Sequence, residues 1–97
     1  MTWDELVEDV TAAHPELKPG QMFGMPCLKR ENGKVVAGSW KDGGITVKLT
    51  NEAAREDALA LAGVDLFDPG MGRKMREWVL VPPAQSEHWR ELLERAI

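Results

Sequence analysis

The chain reads as an α+β domain: an antiparallel sheet of about four to five strands, a three-stranded meander plus a later strand, with helices packed mainly on one face. Three observations predict it. Apolar residues recur with helical spacing near both ends, alternate with strand spacing in the middle, and are interrupted there by the turn signals Asn32-Gly33 and Lys41-Asp42-Gly43-Gly44. The expected order is α-β-β-β-α-β-α.

The first helix opens on a capping box, in which Thr2 accepts from the Glu5 amide and the Glu5 carboxylate reaches back. Trp3, Leu6, Val7 and Val10 then form its apolar face, and Pro15 predicts an end at or before His14. HPELKPGQ is expected to be a loop. MFGMPCLK reads as an edge or bulged strand because of its proline. Asn32-Gly33 signals a type I′ hairpin into KVVAGSW, and KDGG turns the chain into ITVKL, where Ile45, Val47 and Leu49 alternate with Thr46 and Lys48. Thr50 or Asn51 caps a second, alanine-rich helix that runs to Gly63 as its C′ residue. VDLFDPGMGRKM is expected to be a loop, Trp78–Val81 a buried strand stopped by Pro82-Pro83, and Trp89, Leu92, Leu93 and Ala96 the stripe of a last helix.

Ninety-seven residues, 43% hydrophobic and 29% charged, suit one ordinary globular domain spanning 1–97, with room for a core and no need of staples. A lone Cys27 forms no internal disulfide, and no apolar run approaches a membrane span, so no membrane partner is expected. The acidic, amphipathic start is unlike a signal peptide, which points to a soluble cytoplasmic protein. The net charge of −4 argues against wholesale coating of nucleic acid, but it hides a segregation. Residues 1–20 carry five acidic groups against Lys18, whereas residues 21–50 carry Lys29, Arg30, Lys34, Lys41 and Lys48 against Glu31 and Asp42. Arg73, Lys74 and Arg76 form a second basic cluster.

Catalytic and metal chemistry finds little footing. Nothing local ties His14 or His88 to Cys27, so the thiol reads as buried and structural rather than as a nucleophile. There is no CxxC, no HxxxH and no ligand-spaced acidic cluster, and no catalytic, cofactor-binding or metal residue is assigned. Gly70-Met71-Gly72 lacks the spacing of a nucleotide loop and is followed by a strand; it reads as a turn, with anion contact by the adjacent cations as the alternative. Of the four tryptophans, Trp40 beside a turn is the one placed to be exposed.

Met22-Phe23-Gly24, Gly33-Lys34, Val47-Lys48-Leu49, then Phe67, Gly70, Met75 and Trp78 follow one another in an order that resembles the N-terminal domain of the TfoX/Sxy family, itself similar to the MmcQ/YjbR group of small bacterial α+β proteins. The resemblance covers nearly the whole chain. It implies a regulator working with transcriptional machinery, of the kind that governs competence genes, and a DNA-binding role proposed for the YjbR group. Full family members carry a second, C-terminal domain that this sequence lacks, so functions requiring it are not implied. The family offers no catalytic residues to carry over.

Two readings follow. The first is a non-enzymatic regulatory binding domain whose partner is DNA or a transcription-associated protein, contacted through Lys29, Arg30, Lys34, Lys48, Arg73, Lys74 and Arg76. The second is a protein-interaction or homodimerisation module using the sheet or its edge strand, motivated by the methionine-bearing MFGMPC segment. A small enzyme or ligand pocket near Cys27 and Lys48 ranks last.

Overall fold

A computed structural model describes residues 1–97. In chain order the elements are α1 (Trp3–Ala13), β1 (Lys18–Met22), β2 (Met25–Lys29), β3 (Val35–Ser39), β4 (Ile45–Lys48), α2 (Glu52–Leu59), β5 (Asp65–Phe67), β6 (Met75–Val81), a 3-10 segment (Pro83–His88) and α3 (Trp89–Ala96). All strands join one antiparallel sheet in the order β1-β2-β3-β4-β6-β5. The α+β class and the meander stand as expected, and the sheet has six strands.

The two additional strands come from segments that read as loops. HPELKPGQ contains β1, and VDLF contains β5. MFGMPCLK is likewise not one strand: Met22 and Met25 close a hairpin whose two-residue turn is Phe23-Gly24. Both turn residues have positive φ, 53° and 74°, the backbone of a type I′ turn, and the bulky residue hid the signal that Asn would have displayed. The expected type I′ turn at Asn32-Gly33 is corrected in the opposite sense. Only Gly33 has positive φ there, and the Arg30 amide donates to the Lys34 carbonyl across a longer loop, the pattern of a three-residue hairpin ending in a left-handed glycine. Asn32 instead uses its side chain, accepting from the Lys34 amide. The second helix stops at Leu59 rather than reaching Gly63, and Asn51, not Thr50, caps it by accepting from the Ala54 amide.

The capping box of α1 forms, with the Glu5 amide donating to Thr2 at 3.2 Å and the Thr2 amide to Glu5 at 3.0 Å. Leu6 and Val10 of α1, Ala54 and Ala58 of α2, and Trp89, Leu92 and Leu93 of α3 pack on Leu28, Ala37, Ile45, Val47, Val79 and Val81 of the sheet. Cys27, Thr46, Phe67 and Trp78 are also buried but lie outside that cluster. Register explains why. Cys27 pairs with Gly38, Gly38 with Thr46 and Thr46 with Leu80, a row pointing away from the neighbouring Leu28–Ala37–Val47–Val79 row that meets the helices. A Cβ on Gly38 would stand 3.2 Å from both the Met22 methyl and the Thr46 hydroxyl, so glycine lets these side chains close over the helix-free face.

That face is strongly curled. Three strands separate β2 from β5, which in a flat sheet holds them roughly 20 Å apart. Yet the Phe23 ring, at the β1–β2 turn, lies 6.1 Å from the Phe67 ring in β5. Trp40, after β3, meets both, 4.8 Å from Phe67 and 6.3 Å from Phe23 in edge-on geometry. The aromatic triad clasps the two ends of the sheet.

Candidate functional site

The seven cations singled out from the sequence divide into three groups. Arg30, Lys34 and Lys48 line one cleft of about 390 Å³, with Asn32, Thr50 and the valines of β3 completing its wall and no carboxylate among the lining residues. Arg76 lines a neighbouring cleft of about 340 Å³ with Thr50, Arg55 and Glu77. Lys29, Arg73 and Lys74 line neither.

The β2–β3 hairpin places Arg30 and Lys34 together, because their backbone groups close its loop, the Arg30 amide donating to the Lys34 carbonyl at 2.8 Å. Arg30 also holds the fold together, since its guanidinium donates to the Ala96 carbonyl at 2.7 Å and ties the hairpin to the C-terminal turn of α3. Lys48 ends β4 and points away from its buried neighbours Val47 and Leu49. Lys34 and Arg76 are exposed and make no ion pair. The first cleft thus collects Lys34 and Lys48 without an ion pair, beside an Arg30 that the Ala96 carbonyl engages and that also lines an adjoining cleft with Glu16 and Glu31.

The remaining cations behave differently. The Lys29 stem lies across β1, where a Cβ on Gly20 would come 2.7 Å from its Cε, so the small residue exists to admit it. Lys74 pairs with Asp65 at 2.6 Å and holds that carboxyl below its ordinary range by a hydrogen bond. Much of the RKMR cluster is therefore explained: Lys74 joins the last loop to β5, Arg76 faces a cleft, and Arg73 is exposed with no partner.

Arg55 was not singled out from the sequence. It sits in the body of α2, and its guanidinium donates to the Leu49 carbonyl at 2.8 Å, which turns it back toward the end of β4. No local spacing announces its place beside Arg76, because β6 arrives roughly twenty positions later in the chain. Cys27 is 1% exposed, and burial pushes its thiol above the ordinary value, with Lys29 opposing more weakly. No group of three or more His, Cys, Asp or Glu side chains is arranged to hold a metal ion, and no helix is long and apolar enough to cross a membrane.

Two large apolar side chains project outward on loops: Phe23, 53% exposed, and Met71, 73% exposed. Both sheet edges are blunted. A two-residue turn makes Met22 and Met25 the hydrogen-bonded closing pair, and alternation then aims the backbone of Gln21 and Pro19 outward from β1. Pro19 has no amide to offer there. At the other edge, the Leu66 amide of three-residue β5 is taken by the Asp65 carboxylate at 2.8 Å.

No family model, no curated protein and no solved structure matches this chain.

Proposed function

We propose that the chain is a small non-enzymatic regulatory domain that binds the phosphate backbone of DNA. The observation that carries this reading is the cleft of Arg30, Lys34 and Lys48, free of carboxylates on a chain whose net charge is −4. Ordinary solvation of a helix or loop intersperses signs; this fold sorts the acidic groups largely onto the helices and leaves cations at one end of the sheet. The sequence resemblance to the TfoX/Sxy N-terminal domain supports a link to transcription, and the unpaired, buried Cys27 accords with a cytoplasmic setting.

Phosphate binding of this kind is driven by counterion release. With three to four contacts, affinity for a short duplex should fall roughly a hundredfold between about 50 and 200 mM salt. Fluorescence anisotropy measures it directly. Affinity that is no better at the lower salt sinks the proposal.

A second reading, a protein-interaction surface, is favoured by the exposed Phe23 and Met71. With both edges blunted, such a partner would meet the aromatic clasp rather than add a strand.

A further inference from the structure

Thr50 lines both basic clefts and is their shared wall. Register orders the side chains around it. Ala37 pairs with Val47, and Lys48 with Trp78. Continuing the second pairing by two residues sets Thr50 opposite Arg76, and Lys34, beyond the bulge that β3 makes at Val36, lines the first cleft with Thr50. The Leu49 amide donates to the Glu77 carbonyl at 2.7 Å, so the second pairing does continue past the end of β4. Thr50 and Arg76 therefore stand side by side on neighbouring strands, with their Cα atoms about 5 Å apart, and Lys34 shares the first cleft with Thr50. Lys48 lies two residues before Thr50 and lines the first cleft with it, and Arg55 closes the second cleft from α2.

We infer that the two clefts form a single track that takes two consecutive phosphoryl groups of one chain, the first between Arg30, Lys34 and Lys48, the second between Arg55 and Arg76, with the Thr50 hydroxyl donating between them. The inference rests on the phosphate-binding reading and deepens it. A lone phosphate would occupy one cleft and leave the other's cations uncompensated. A chain of phosphates meets both. Glu77, the single carboxylate lining either cleft, belongs to the second, so the first phosphate is held the more tightly. Two sources present this chemistry, a nucleic-acid strand and a free oligophosphate.

Amide chemical shifts of the intact chain, followed during titration with a thymidine tetranucleotide, with inorganic tripolyphosphate and with orthophosphate, separate these cases. Shifts at Lys34, Lys48, Thr50 and Arg76 with the oligonucleotide assign the track to a nucleic-acid strand. The same shifts with tripolyphosphate alone keep the two-phosphate site and assign it to a free oligophosphate, while removing the DNA reading. Orthophosphate binding as tightly as tripolyphosphate overturns the paired site. Variants give a second measure: Lys34→Gln and Arg76→Gln should each flatten the salt dependence of oligonucleotide binding by about 0.7 in log–log slope. Arg73→Gln, outside both clefts, should leave it unchanged. Equal effects of Arg73→Gln and Arg76→Gln would show diffuse charge, which overturns the track while leaving DNA binding intact.

Discussion

Phe23 concentrates the tension between local and tertiary preference. A phenylalanine at φ 53° carries a steric cost of roughly 1–2 kcal/mol that Asn or Gly would largely avoid. Against it stand two aromatic contacts, each contributing about 0.5–1.5 kcal/mol, and the half of the ring that is covered. The contacts win, so Phe23→Asn should destabilise by about 1 kcal/mol in urea denaturation despite its better turn propensity. A variant more stable than the parent would mean that the clasp holds nothing and that Phe23 serves a partner alone. Trp89 shows the opposite balance. Its ring is buried in the core, but its Nε1 is enclosed with no hydrogen-bond partner. Trp89→Phe removes an orphaned donor that costs about 1–3 kcal/mol, against a packing loss of comparable size, and should be close to neutral. Trp89→Ala should cost about 3–5 kcal/mol, and comparing the two unfolding midpoints tests that split.

At the level of elements, the helices are fastened to each other by a polar link that sequence spacing does not reveal. His14, the residue that ends α1, reaches Glu94 of α3 at 2.8 Å, and Arg90 supports the same carboxylate at 3.2 Å. The His14 hydrogen bond holds Glu94 below its ordinary value, as Thr2 does for Glu5 and Lys74 for Asp65. Each of these groups binds protons less readily folded than unfolded. The stability they contribute is present above the ordinary carboxylate value, and it is lost as pH falls through the lower folded value. Thermal midpoints should therefore drop with acid below about pH 4.5, and Glu94→Gln should make that drop shallower. An unaltered acid profile would show that the α1–α3 link is not expressed in stability. At neutral pH the same change should cost less than about 1 kcal/mol, because the pair is partly exposed.

For the whole molecule, curling the sheet and blunting its edges bear on association. Pro19 and the Asp65 cap each remove one edge donor that a second copy would use for strand addition, leaving the Gln21 amide as the outward donor of β1. Light scattering should give the monomer mass of 10.8 kDa across a hundredfold concentration range. A dimer that dissociates on substitution of Phe23 or Met71 would instead place the contact on the clasp and favour the protein-partner reading. Strand order also gathers charge. Lys34, Lys48 and Arg76 are distant in sequence but share one end of the sheet because β3, β4 and β6 are successive neighbours in it.

Much of this was legible in the residues. Periodicity located α1, α3 and the meander, since apolar spacing of 3.6 or 2 is a local property of any amphipathic element. The Thr2 capping box and the end of α1 at His14 were equally local. β1 and β5 escaped because KPGQM and DLF carry no clear apolar alternation, and the turn at Phe23 escaped because its conformation is imposed by Trp40 and Phe67. Composition and charge blocks marked Lys34, Lys48 and Arg76 as cations in strands and loops. Only the tertiary structure separated them from Lys74, which Asp65 neutralises, and from Lys29, which lies over Gly20, and joined to them Arg55 from α2. Charge is written in the sequence, but whether a charge is paired, buried or free is decided by which distant strand becomes its neighbour, and strand order is a long-range outcome of packing.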